Sequence, residues 1–172
     1  MDTLPLSFAK PEDPIRLYFP AESTVAYFSL FSDVQSKGSC VLYAVDETGV
    51  ENAKQVDLKV EDGLITSGDG TILYSIQSTV SGTCVLPEGI HTIAGGALDN
   101  TYSLTTLVLP ESLAKLESGS LVNWGLQRVL VMGATPPVLE DGAIDPFTDV
   151  LVGTEAESAY TEAWCTSPSF TP

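Results

Sequence analysis

The chain has 172 residues, 44% of them hydrophobic and 17% charged, and its 23 acidic against 7 basic side chains leave it at −16. That hydrophobic share can fill a core, which excludes a disordered polyelectrolyte, and no apolar run approaches the roughly 18–20 residues that cross a bilayer. So negative a surface repels phosphate backbones and anionic lipid, so neither nucleic acid nor a charged membrane surface is an expected partner.

The stretch Met1–Phe8 has no basic segment and no continuous apolar run, so it does not read as a secretory signal. Either the protein is made without one or the signal has been removed. Prolines at Pro5, Pro11 and Pro14 make residues 1–14 an extended arm without its own core. In that arm Leu4, Leu6 and Phe8 alternate, a pattern suited to lying along a groove or sheet edge of another subunit. Short strands follow at 15–19, 24–30, 39–45 and 54–60, separated by turn residues. In the last of these, Val56, Leu58 and Val60 fall on one face and Gln55, Asp57 and Lys59 on the other, the pattern of a half-buried strand. Residues 15–65 are therefore expected to form a small antiparallel, sandwich-like β-domain. The segment Ser67–Thr71 contains Asp69-Gly70 and reads as a hairpin turn between strands at 63–66 and 71–76; it lacks the alternating carboxylates of a calcium loop.

The second half repeats. Leu86-Pro87-Glu88 recurs as Leu109-Pro110-Glu111, 23 residues on, and Ile93–Leu98 lines up with Leu116–Leu121 at the same offset. Leu104, Leu107 and Leu109 match Leu126, Val129 and Val131 at an offset of 22, and Val150 and Val152 follow 21 residues later. A period of about 20–25 residues with an L-x-x-L-x-L core marks a solenoid, in which each coil supplies a short strand and buries its apolar edge only by stacking. The expected strands are 84–86, 107–109, 129–131 and 150–152. Downstream, 155–164 reads as a helix capped by Thr154, with Ala156, Ala159, Tyr160 and Ala163 on one face and Tyr160 and Trp164 over the last coil. The domain plan is thus an arm at 1–14, a β-domain at 15–65 and a capped solenoid at 66–172. The fold class is mainly β: a small antiparallel β-domain followed by a short leucine-rich-repeat β-solenoid with a C-terminal capping helix.

Residues 72–164 resemble the BspA-type leucine-rich repeat proteins of anaerobic bacteria. The resemblance rests on Leu86-Pro87, Ile90, Ile93, Ala97-Leu98, Leu104 and Leu107, on the turn Thr135-Pro136-Pro137-Val138, on the Tyr160/Trp164 helix and on the opening hairpin Asp69–Tyr74. Where that family carries Phe this chain has Leu98, Leu121 and Ile144, and where it carries Cys this chain has Thr101 and Trp124. The resemblance implies a bacterial cell-surface or secreted adhesin.

Chemistry finds little footing. Cys40, Cys84 and Cys165 are too few and too widely spaced for a disulfide framework or a zinc site, and they read as small buried hydrophobes. His91, the single histidine, sits between inward positions and is expected to face solvent. No nucleophile elbow, phosphate-binding loop or metal-binding His pair accompanies it. The pairs Asp141/Asp145 and Glu155/Glu157 read as solvated surface, and Asn100 and Asn123 as turn residues bonding neighbouring coils. No enzyme, cofactor or metal is expected.

The surface is more informative. The residue between the two inward positions of each solenoid strand points outward. Those residues are Val85, Val108, Leu130 and Leu151, at spacings of 23, 22 and 21, and they should stack into one apolar column. Such a column marks an interaction site, a face covered by the β-domain, or simple tolerance of residues with high β-propensity. The expected partner is a protein: further copies of this chain, or a capsid or surface protein. The functional expectation is a structural, protein-interaction module, an accessory decoration or fibre component of a large assembly such as a phage virion or another extracellular surface structure. The adhesin reading is the alternative.

Overall fold

The computed structural model describes residues 15–20, 40–45, 47 and 49–164. The arm at 1–14, with Leu4, Leu6 and Phe8, and the expected strand at 24–30 lie outside the described residues, as does Cys165.

The first sheet contains β1 (Ile15–Pro20), β2 (Cys40–Val45) and β3 (Lys54–Val56) in the order β1-β2-β3. The pair β2/β3 is antiparallel, as expected, but β1 runs parallel to β2. Parallel strands need about a dozen residues or more between them, and residues 21–39, outside the described residues, separate these two. Tyr18 lies opposite Tyr43 and their rings stack at 5.2 Å. The expected strand at 54–60 is divided between two sheets. β3 ends at Val56, and β4 (Leu58–Glu61) pairs instead with β5 (Leu64–Ser67). The break is a single residue, Asp57, against which Gly68 packs so closely that a Cβ there would lie 2.8 Å from the Asp57 Cβ. Val56 and Leu58 are half-buried as the alternation requires, but Val60, expected on the same face, is exposed on the edge strand β4.

β5 forms an antiparallel hairpin with β6 (Ile72–Ile76) across the expected turn. There Ser67 Oγ, Thr71 N and Thr71 Oγ1 all donate to Asp69 Oδ1 at 2.6–3.0 Å. These donors, the Ser67 hydroxyl foremost, hold the Asp69 carboxyl at about 2. From β6 the chain begins to coil. One wall of the solenoid is a four-stranded parallel sheet of β7 (Gly82–Val85), β9 (Leu104–Leu109), β11 (Arg128–Val131) and β13 (Asp149–Val152). The opposite wall continues the β4-β5-β6 sheet through two-residue parallel strands: β8 (Thr92–Ile93), β10 (Lys115–Leu116) and β12 (Val138–Leu139). Each coil therefore supplies two strands, where the repeat suggests one. Strands of two residues are too short to leave an alternation pattern.

Leu107, Leu109, Val129 and Val131 on one wall and Ile93 and Leu116 on the other are buried in one core with Ile90, Leu98, Leu104, Leu113, Leu121 and Leu126. At the corner between β8 or β10 and the next turn, Gly96 and Gly119 adopt φ of 74° and 71°, and Gly142 takes 68° one coil on. Only glycine reaches that conformation cheaply, and here it lets the Gly96 N–H donate to Gly119 O and the Gly119 N–H to Gly142 O. Polar side chains join the coils elsewhere. Glu88 accepts from the backbone N–H groups of Glu111 and Ser112 at 3.0 and 3.1 Å. The buried Asn123 amide donates to Leu98 O and Thr101 O at 2.7 and 2.8 Å, the inter-coil role expected of it.

The helix α1 (Glu157–Trp164) starts two residues later than expected, and Ala163 on it is exposed. Its anchors are Tyr160 and Trp164, packed edge to face at 4.9 Å. The Tyr160 hydroxyl donates to Gly133 O and Thr135 O, and Trp164 Nε1 donates to Pro137 O. The Thr-Pro-Pro turn and the Tyr/Trp helix thus meet and close the C-terminal end. The hairpin strands β4 and β5 close the other end of the second wall. None of the helices among the described residues is long and apolar enough to cross a membrane.

Candidate interaction surface

The four-stranded wall presents its outer face in two columns. Register pairs Thr83 with Thr106, Thr106 with Arg128 and Arg128 with Asp149, giving a polar column. Two residues along, Val85 lies opposite Val108, Val108 opposite Leu130, and Leu130 opposite Leu151. The expected apolar column therefore exists, one side chain per coil, at a strand spacing of about 4.8 Å. The flanking residues Cys84, Leu86, Leu107, Leu109, Val129 and Val131 are buried, so inside and outside fall as the alternation requires.

The column is open. Val85 is 66% exposed and Leu151 47%, while Val108 and Leu130 in the middle are half-buried by their neighbours in the sheet. Met132, just past β11, is also exposed. At its first end, Val85 borders a cleft of ≈540 Å³ shared with Lys59, Glu61, Thr66, Asp69 and Cys84. At its last end, Leu151 borders a groove of ≈310 Å³ between β13 and α1, shared with Tyr160, Thr161 and Trp164. Full burial of four such side chains is worth about 6–10 kcal/mol; with roughly half of their surface already covered, on the order of 3–5 kcal/mol remains to be gained. That is comparable with or below the cost of immobilising a partner, about 4–15 kcal/mol, so an occupant of this face needs contacts beyond the column.

His91 is exposed on the turn into β8; its backbone N–H donates to Thr71 O, and its carbonyl accepts from Ala114 and Lys115. Asp141, Glu155 and Glu157 are exposed and Asp145 is half-buried. Cys84 is buried and unpaired, and burial pushes its thiol up. Among the described residues, no group of three or more His, Cys, Asp and Glu side chains is placed to hold a metal ion. The charged cluster with definite geometry is Lys115 between Glu140 at 2.7 Å and Glu117 at 3.4 Å, on the wall opposite the column. The Lys115 ammonium, together with the Ser118 N–H, holds the Glu140 carboxyl below its ordinary range.

A second surface feature has no counterpart in the expectations. Tyr102, Trp124 and Phe147 stand out into solvent from turns of three successive coils, with exposures of 78%, 105% and 92%, Phe147 one residue further along its turn than Trp124. The signal for it lies in the numbering, at offsets of 22 and 23. It is easily passed over because the repeat is read from its inward positions. No family model matches the chain, and no curated protein matches it.

Proposed function

We propose that this chain is a non-catalytic structural module that works by contact, an accessory subunit of a large assembly such as a decoration or fibre component of a virion. The observation that carries the reading is the open column Val85, Val108, Leu130 and Leu151, aligned strand for strand on a wall that has no need to be apolar there. A modest gain per copy suits an assembly, where each subunit is held by several weak contacts at once. The two depressions at the ends of the column give a partner further places to engage. The exposure of His91, Asp141, Glu155 and Glu157 to solvent supports a role without catalysis. A bacterial surface or secreted adhesin is the second reading, favoured by the resemblance of residues 72–164 to BspA-type repeats; the same column would then face a partner outside the assembly.

The test is light scattering coupled to size-exclusion chromatography on the full chain and on Leu130→Asp. The full chain is expected to associate with rising concentration. Leu130→Asp is expected to stay monomeric with an unchanged circular dichroism spectrum, because Leu130 points away from the core. A full chain that remains monomeric at every concentration overturns self-association through this face. A Leu130→Asp chain that unfolds overturns the assignment of the column to the outside.

A further inference from the structure

We infer that the open edge of β7, at the first end of the long wall, receives an extended basic segment of a protein partner as an added strand. β7 ends the sheet β13-β11-β9-β7, and among the described residues no strand lies on its other side. Gly82 N–H donates to Ser103 O and Leu86 N–H to Val108 O, both toward β9. Successive residues of a strand turn their backbone groups to opposite sides, so Thr83 and Val85 present theirs to the open side. Both residues are exposed. Backbone groups in that position are a template for a further strand.

The other edges of the solenoid are defended. β4, which ends the opposite sheet, carries Lys59 and Glu61, and β12 at its other end is only two residues long. β13, at the far end of the long wall, faces α1 across the groove already described. Strand β7, Gly82-Thr83-Cys84-Val85, contains no charged residue and no proline. Beside it, in place of a cover, is the cleft of ≈540 Å³ between β7 and the β4–β5 hairpin.

The lining of that cleft sets the chemistry of the occupant. Leu64, Val80 and Cys84 make an apolar floor at the mouth of the core. In an added strand, the residue opposite Cys84 turns inward onto this floor as Cys84 does, and its neighbours turn outward beside Thr83 and Val85. The rim is acidic. Glu61, Asp62, Asp69 and Glu88 line it against one base, Lys59, which is already paired with Glu61. The preference for Lys or Arg beside an inward apolar residue thus comes from the groups that line this cleft. A second copy is disfavoured on the same ground. Its matching end, β13 and α1, would bring Asp149 and Glu157 to a rim that already carries four carboxylates. The four residues of β7 extend over about 13 Å, so a segment of similar length fills the edge.

The experiment is fluorescence anisotropy of a labelled short peptide alternating Lys and Val, titrated with the full chain. It is repeated with the same peptide N-methylated throughout, which keeps every charge and removes the N–H groups, and with a peptide alternating Glu and Val. Two variants of the chain are compared by circular dichroism and then titrated. Val85→Pro removes an N–H on the open side and leaves the bonds to β9; Glu61→Gln with Asp62→Asn lowers the charge of the rim and leaves the edge intact. Saturable binding of the Lys/Val peptide is expected, weakening as salt is raised, with none for the Glu/Val peptide. N-methylation should loosen it by about tenfold or more, Val85→Pro by about three- to tenfold, and the rim variant by about two- to fivefold. No saturable binding overturns the proposal. So does an N-methylated peptide that binds within about twofold of its parent, which would mean that charge alone attracts it. Equal binding of the Glu/Val peptide, or a folded Val85→Pro chain that binds as the parent does, overturns it as well. If Val85→Pro does not fold, the N-methylated peptide and the rim variant decide. Self-association that Val85→Pro abolishes and Leu130→Asp does not would make the occupant of the edge a second copy, and that too overturns the proposal.

Discussion

At the scale of single residues, much of the inter-coil bonding falls to polar side chains whose hydrocarbon neighbours already fill the core. Glu88 is the clearest case. It leaves the Leu-Pro-Glu turn of one coil and accepts the two N–H groups that open the same turn of the next. The Glu111 N–H, more than the Ser112 groups, holds its carboxyl below the ordinary range, against a smaller opposing effect of desolvation. A carboxylate depressed in the folded state contributes stability above its unfolded pKa, and that contribution is lost as pH falls through the folded value. Glu88→Gln should therefore melt below the parent at pH 7, and the gap should narrow as pH falls through and below the ordinary carboxylate range, as the parent's carboxyl takes up its proton. Thermal melts of both chains across that range check this; a gap that stays constant or widens would show that the charge on Glu88 is not what joins the coils.

At the scale of elements, a stack of parallel strands has two open ends, and the chain closes them by different means. The first end of the short-strand wall is finished by the antiparallel strands β4 and β5, which carry charged Lys59 and Glu61 on the edge strand. Charges on an edge discourage further pairing. The last end is finished by α1, whose Tyr160 and Trp164 reach the carbonyls of the Gly133–Pro137 turn. Both rings are buried, and burial raises the Tyr160 phenol. Trp164→Ala removes a ring and leaves the Pro137 carbonyl without its donor, so it should cost about 3–5 kcal/mol in urea denaturation. It should also uncover the free edge of β13, which would then promote association beyond that of the parent. A loss under about 1 kcal/mol would mean that the solenoid does not rely on its helix.

At the scale of the molecule, charge opposes compactness. A net −16 on 172 residues repels itself, and among the described residues the ion pairs Lys115–Glu140, Lys115–Glu117 and Lys59–Glu61 offset only part of it. Salt screens this repulsion over roughly 10 Å at 0.1 M and 3 Å at 1 M. The melting temperature at pH 7 is expected to rise as sodium chloride is raised from about 0.01 to 0.5 M, the reverse of what a chain held mainly by surface ion pairs would do. Differential scanning fluorimetry decides it; a falling melting temperature would put the ion pairs above the repulsion. The same salt series should leave the apolar column's contacts intact or stronger.

The sequence by itself determined the coil. Inward positions recur at 23, 22 and 21 residues, and a repeat of that kind buries its apolar edge in only one way, by stacking. Hence the interior of the long wall, the outward column at Val85, Val108, Leu130 and Leu151, and the Tyr160/Trp164 cap were all legible in advance. Tertiary structure decided what local pattern cannot carry. The second wall rests on strands of two residues, held by bonds from the coils above and below and by no propensity of their own. The division of residues 54–61 between two sheets falls at one residue, Asp57, in a stretch whose apolar residues alternate without a break in the sequence. The parallel placement of β1 beside β2 depends on a long connection rather than on either strand. Tyr102, Trp124 and Phe147 are exposed on successive turns but at different places in them, because pairing between backbones, not spacing along the chain, sets which side chains are neighbours on the surface.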